Sequence, residues 1–266
     1  MTRMLTTLSI AFAAIISLAD PAPAITPEEK GLAIAREADR RDLGFGDSRA
    51  ALEMILTNRR GDQSRRELRI LTLENPDESA GDSGLVVFDR PRDVKGTALL
   101  TFSNILEPDD QWIYLPAVAR VKRISSRNKS GPFMGSEFAY EDMGSQEVGK
   151  YTHRHLRDEA CGELVCYVIE RVPLYPHSGY RKQIVWIDQD EYRTQKIEFY
   201  DRKDALLKTL AFGDYRQYLD QYWRAHDLFM VNHQTGKSTR LTWSEFTFRS
   251  GLGKDDFTRA ALRRLR

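Results

Sequence analysis

Neither sign of charge prevails in this chain: 40 Lys and Arg stand against 39 Asp and Glu, a formal net charge of +1. That balance offers nucleic acid no global attraction and removes it from the expected partners. Cysteine is scarce as well, with Cys161 and Cys166 the entire supply. A structural zinc site would need two further ligands, and His153 and His155, the nearby candidates, do not have the tight paired spacing of such sites. On a strand those two imidazoles would share a face, but no third ligand is evident and Arg154 and Arg157 add positive charge. The remaining histidines, His177, His226 and His233, have no signature spacing either. The chain also lacks a G-x-S-x-G elbow, a phosphate-binding loop and an H-E-x-x-H run. No metal, cofactor or catalytic residue is therefore expected, and the protein is read as a non-enzyme. Beyond an apolar run from about Leu5 to Leu18, no stretch approaches the length of a membrane span.

That one apolar run belongs to a leader. Arg3 supplies a basic start, the run itself is too short to span a bilayer, and Ala22-Pro23-Ala24 supplies small residues for a cut, so residues 1–24 read as a cleavable signal peptide. A cut after Ser17-Leu18-Ala19 satisfies the small-residue rule too, and an uncleaved anchor helix is the bland alternative. The later cut fits the residues just beyond it: Thr26-Pro27-Glu28-Glu29 reads as an N-cap, a proline at the first helical position and a reciprocal Glu at the third. No cysteine lies near either cut, which excludes lipid attachment at a mature N-terminal Cys. The expected location is the periplasm or the outside of the cell. Export makes a disulfide the default for Cys161 and Cys166, with Gly162 permitting the tight turn, whereas thioredoxin-like redox chemistry wants C-x-x-C.

From Thr26 to about Asp42 the spacing of Leu32, Ala35 and Ala38 predicts a helix, ended by Gly44-Phe45-Gly46. After it the chain reads as successive strands separated by Gly, Pro, Asn and Asp. They are expected near 50–58, 65–73, 84–89, 96–103, 111–115, 120–125, 150–157, 164–172, 181–188, 194–200, 205–215, 222–231 and 238–248. In the run from Thr194 to Tyr200, Ile197 and Phe199 oppose Lys196 and Glu198, the pattern of an antiparallel sheet with one wet face. Other strands, Trp112-Ile113-Tyr114-Leu115 and Ile184-Val185-Trp186-Ile187, are apolar on both sides and predict cover on both faces. A curled sheet with helices in its mouth satisfies both patterns. Acids before Phe257, Ala261 and Leu262 suggest a last short helix. No repeat or linker divides residues 25–266, which read as a single domain.

Two constellations stand out. Arg120, Lys122, Arg123, Arg127 and Lys129 place five positive charges within ten residues. Such a patch suits anionic headgroups, a transient membrane surface or an acidic partner, and the bland reading is a solvated strand face. The segment Gly131 to Tyr140 then joins Gly and Pro to Phe133, Met134, Phe138 and Tyr140, so it must cover something or be covered. It reads equally as a Gly-hinged lid over an apolar cavity or as a permanent plug.

Both lie within the run from Asp110 to Asp142. Trp112, Tyr114, Leu115 and Pro116, then Arg120, Arg123 and Ile124, then Phe133 to Ser136, Phe138 and Tyr140 to Asp142 form W-x-Y-L-P, R-x-x-R-I and F-M-G-S-x-F-x-Y-E-D. The run resembles the uncharacterised branch of the outer-membrane lipoprotein-sorting (LolA-like) family. The resemblance implies a mainly β fold: a strongly curved antiparallel sheet forming an incomplete, half-open β-barrel, with helices as a lid over a hydrophobic cavity. Known members carry lipoproteins or lipids between membranes, and the branch is associated with resistance-nodulation-division (RND) type exporters. The expected function is thus periplasmic carriage of a lipid, lipoprotein or other amphiphile toward the outer membrane. Phe102, Trp112, Tyr114, Phe133, Met134, Phe138, Tyr140 and Trp186 are the expected cavity and lid residues. A non-carrying exporter adaptor, docking through Arg120 to Lys129, and an unrecognised periplasmic hydrolase are the alternatives.

Overall fold

The computed structural model describes residues 24–77 and 80–264. The leader assigned to residues 1–24 therefore lies, apart from Ala24, outside the described residues. Helix α1 (Pro27–Asp42) starts as Thr-Pro-Glu-Glu predicts. The Thr26 hydroxyl accepts from the Glu29 amide at 3.2 Å, and the Glu29 carboxylate accepts from the Thr26 amide at 2.8 Å, which satisfies two amide donors that the first turn leaves unpaired.

Thirteen strands succeed it. The first six are β1 (Asp47–Thr57), β2 (Gln63–Leu73), β3 (Ser83–Arg90), β4 (Ala98–Phe102), β5 (Asp110–Leu115) and β6 (Arg120–Arg123). The other seven are β7 (Tyr151–Cys161), β8 (Leu164–Pro173), β9 (Tyr180–Asp188), β10 (Thr194–Asp201), β11 (Leu206–Tyr218), β12 (Tyr222–Asn232) and β13 (Ser238–Phe248). They form one antiparallel sheet in the order β6-β5-β4-β3-β2-β1-β13-β12-β11-β10-β9-β8-β7. Two meanders are thus joined where β1 pairs with β13, and β6 and β7 are left as free edges. The sheet is strongly curved and does not close. Bulges in β3, β7, β9, β10, β11 and β13 add local twist, one of the devices by which long sheets coil.

Alternation along the strands divides the apolar side chains between two faces. On the concave face Leu52, Met54, Leu68, Val86, Phe88, Leu99, Ile113, Val185, Ile197, Phe199, Leu210, Met230 and Leu241 join one core with Ile34 and Ala35 of α1. Helix α1 reaches β7 closely at Gly31, where a Cβ would lie 2.7 Å from the backbone nitrogens of Arg154 and His155. On the convex face Leu85, Val87, Ala98 and Leu100 pack under Leu252, Phe257 and Leu262 of the C-terminal segment. That segment is pinned by Asp47, whose carboxylate accepts from the amides of Ser250 at 2.7 Å and Gly251 at 3.2 Å.

The last helix expected around Phe257 is instead two 3-10 turns, Lys254–Asp256 and Ala261–Arg263. Leu252, Phe257 and Leu262 succeed one another at five-residue steps, which in an α-helix would offset each from the last by roughly 140°. Extended turns let all three meet the same sheet face. A third cluster on β8 and β9 contains Cys166, Val168, Ile184 and Trp186. Beside it Cys161 and Cys166 form a disulfide across the β7–β8 hairpin, with Cα atoms 5.9 Å apart and Gly162 at φ +67° in the turn.

Candidate functional site

Between the two free edges the chain passes through the interior of the curved sheet. Residues 124–150 run from β6 to β7 through four short 3-10 turns, Ser126–Asn128, Phe133–Gly135, Tyr140–Met143 and Val148–Lys150. Phe133 is wholly buried, with its ring against those of Phe88 and Tyr140. The cover of the concave face is therefore one α-helix and this irregular segment, where a set of helices was expected. Gly135 at φ +79° and Met134 at φ +49° show why a helix cannot form there.

Polar contacts fix the segment around Glu141 and Asp142. The Glu141 carboxylate accepts from Gly179 N and Ser178 Oγ at 2.8 Å and from Tyr175 OH at 3.2 Å. The Asp142 carboxylate accepts from Ala139 N and Lys208 Nζ at 2.7 Å and from Tyr180 OH at 2.8 Å. Burial, then the neighbouring Asp142 charge, raises the pKa of Glu141; burial and the two carboxylates also hold the Tyr180 phenol far up. Main-chain oxygens are taken too: Gln111 Nε2 donates to Tyr140 O at 2.7 Å, and Lys208 Nζ to Glu137 O at 2.9 Å. The residues of F-M-G-S-x-F-x-Y-E-D thus form a knot that ties the interior segment to β5, β9 and β11.

Beside this knot lies a cavity of about 270 Å³. Ile70, Val86, Leu228, Leu241 and Trp243 of the sheet form its apolar wall, and Phe138 and Met143 of the interior segment face them. Gly84 on β3 creates much of the space. It stands opposite Thr72 and Thr101 on the concave face, and a Cβ built on it meets no atom within 4 Å. Hydroxyls of Thr72, Ser83, Thr101, Ser103 and Ser145 also line the cavity, as do the carboxylates of Asp82 and Asp142 and, among the described residues, no basic one.

Asp82 is half-buried, and burial followed by the charges of Glu147, Glu74 and Asp42 pushes its pKa up to about 6, against a pull downward from the Asn75 amide. Its folded-state value lies above its unfolded one, so its contribution is favourable below pH of about 4 and is lost as pH rises through about 6. Asp82→Asn is therefore expected to leave stability nearly unchanged near pH 4 and to raise it near pH 7.5 by on the order of 1–2 kcal/mol. Urea unfolding of both proteins at the two pH values would measure this, and an equal effect at both would rule the linkage out.

The expected cavity residues separate. Phe133 and Phe138 are buried in the concave core, with Met134 and Tyr140 packed against it, and of these only Phe138 lines the cavity. Phe102, Trp112 and Tyr114 are a correction: they point to the convex face, under the C-terminal segment, with the Arg259 guanidinium over the Trp112 ring. Trp186 is a second correction, since it faces the cluster beside the disulfide while its neighbours Val185 and Ile187 face inward. In both strands each face is covered, so alternation shows that two faces exist without showing which is concave. Ile70, Gly84, Leu228, Leu241 and Trp243 were not expected at the cavity. The alternation of β12 and β13 carries a signal for three of them, whereas a glycine in a strand reads merely as a weak point.

The basic run also divides. Arg120, Lys122 and Arg127 are exposed, Arg123 pairs with Asp110 and lies over Trp112, and Lys129 is buried. His153 is buried with Nε2 on Val148 O at 3.0 Å, and burial lowers its pKa, while His155 bonds Asp158 at 2.6 Å. Among the described residues no group of three or more His, Cys, Asp or Glu side chains is placed to hold a metal ion, and no helix is long and apolar enough to cross a membrane.

A curved, unclosed antiparallel sheet wrapped round an interior segment, with an apolar cavity between the two, defines the half-open barrel class. A family model described as an uncharacterized protein matches residues 80–264. A domain from Vibrio parahaemolyticus named for outer membrane lipoprotein sorting is 56% identical, with a TM-score of 0.86, over 89% of this chain and 99% of that one. A DUF1329 family protein from Desulfovibrio piger is 29% identical over 89% and 99%, with a TM-score of 0.84. A LolA superfamily protein from Nitrosomonas europaea, 22% identical over 90% and 100% with a TM-score of 0.70, shares the fold. No curated protein matches the chain. The chain belongs to the same family as the Vibrio parahaemolyticus domain named for outer membrane lipoprotein sorting.

Proposed function

We propose that this protein is a periplasmic carrier that takes the apolar part of a lipid, a lipoprotein or another amphiphile into the concave cavity and moves it toward the outer membrane. The observation that carries this reading is the apolar cavity of about 270 Å³ between the sheet and Phe138 and Met143. At a liquid-water share of about 30 Å³ each, that is room for about nine water-sized groups. Each methylene that leaves water for such a wall contributes about 0.8 kcal/mol. Among the described residues the lining carries carboxylates and hydroxyls and no base, so a neutral or cationic polar end fits its polar part better than an anionic one. The interior segment acts as a fixed wall of the site, because its carboxylates and carbonyls are tied to β2, β5, β9, β11 and β12.

Arg120, Lys122 and Arg127 lie outside this cavity, on or beside the free edge β6. Charge there also keeps an unpaired edge from joining another sheet. In the carrier reading these residues meet an anionic membrane surface, at about 1 kcal/mol for each basic group, or an RND-type exporter. An adaptor role rests on the same three residues and would leave the cavity empty.

Protein isolated from its own periplasm and sprayed under native conditions should carry a stoichiometric amphiphile that organic solvent removes. Such protein with no copurifying amphiphile, and with no uptake of dodecylamine, dodecanol or dodecanoate after delipidation, would exclude the carrier reading.

A further inference from the structure

We propose that Lys129 binds a single small anion, a halide, in the seam between the two free edges of the sheet. Lys129 is only 6% exposed, and its Nζ has no hydrogen-bond partner among the described residues. The side chain borders a cavity of about 20 Å³ together with Asp109, Glu141, Lys150, Tyr151 and Tyr175. That volume is enough for one particle the size of a water molecule.

The surrounding carboxylates are already committed. Asp109 pairs with Lys150 at 3.0 Å, both being buried, and Asp110 pairs with Arg123. Glu141 accepts from the donors of Tyr175, Ser178 and Gly179. The Lys129 ammonium is thus left with no carboxylate in contact with it among the described residues. A buried ammonium without a counter-charge is strongly unfavourable. It would shed its proton, hydrate or recruit an anion, and burial indeed lowers its pKa while Asp109 and Asp110 oppose that change.

An anion answers both the charge and the donors. Lys150 Nζ uses two of its three N–H groups, on Asp109 and on Ser145 O at 2.7 Å, and lines the same cavity. The size of the cavity selects a monatomic ion over a phosphate. Lys129 comes after β6, whereas Tyr151 begins β7 and Tyr175 lies between β8 and β9. A bound halide would therefore tie together residues beside the two free edges, β6 and β7, which do not pair with each other.

The full chain crystallised and soaked in sodium bromide tests this directly. An anomalous peak within about 3.5 Å of Lys129 Nζ is expected. Raising sodium chloride at constant ionic strength, balanced by sodium gluconate, should raise the melting temperature by several degrees, as linkage requires of an ion bound only by the folded state. Lys129→Met, which keeps the apolar stem, should abolish that dependence. A water in place of the bromide peak, or the same chloride response in Lys129→Met, would overturn the proposal. If that variant does not fold, the presence or absence of the bromide peak in the unaltered protein decides.

Discussion

Lys208→Met is expected to cost about 3–5 kcal/mol of folding stability, because it removes one partner of a buried ion pair and leaves the other behind. Lys208 is 3% exposed on β11. Its ammonium donates to Asp142 at 2.7 Å and to Glu137 O at 2.9 Å, above the rings of Tyr180 and Phe199 at 5.1 and 5.0 Å. Met keeps the apolar stem and loses every one of those polar contacts. Asp142 would then rely on Tyr180 OH and Ala139 N alone, with its charge still buried. The interior segment would also lose its tie to β11. Denaturant unfolding tracked by near-ultraviolet circular dichroism would measure the loss, and Lys208→Met with Asp142→Asn should recover part of it, since the uncompensated charge is gone. A loss below about 1 kcal/mol for the single variant would show that the segment is held by its apolar contacts alone.

Gly84→Phe is expected to reduce amphiphile binding at least about tenfold, a loss of roughly 1.4 kcal/mol or more, while the protein stays folded. The position is unusual because its Cβ direction is open, on the concave face, beside Ile70, Val86 and Leu241. A ring placed there occupies the space that a chain would use. Removing a glycine from a strand interior also tends to stabilise, by about 0.5–1 kcal/mol, so lost binding would not be a by-product of unfolding. Gly84→Ala serves as the control, with the space largely preserved and binding retained. Displacement of a fluorescent fatty amine would report both variants. Binding by Gly84→Phe equal to that of the parent would place the ligand elsewhere.

Much of the secondary structure is legible in the sequence. Each expected strand overlaps an observed one, from Asp47–Thr57 to Ser238–Phe248, because strand alternation and turn residues are local signals. The Thr26–Glu29 cap and the Cys161–Cys166 bond are legible for the same reason, being contacts between residues a few positions apart. Trp112 and Tyr114 were expected on the wrong face because Ile113 and Leu115 beside them are apolar as well. What distinguishes the two sides is Phe257, far along the chain, which covers one of them. Lys129 reads as one more member of a basic run, and nothing local marks it as buried. Gly84 has no side chain to read, and its importance lies in the space around it.

The order of helix and strands, their alternating faces, the cap, the disulfide and the family are all written locally in the amino-acid chain. Those features depend on the backbone period and on neighbours within a few residues, so each segment carries its own signal. Which face is concave, how residues 124–150 are tied down, and where the chain leaves an apolar space follow from the folded arrangement instead. These depend on residues that meet from distant parts of the chain: Lys208 with Asp142, Leu262 with Leu100, Gly84 with the emptiness between Ile70 and Leu241. A period of two fixes that side chains alternate, and long-range packing fixes toward what.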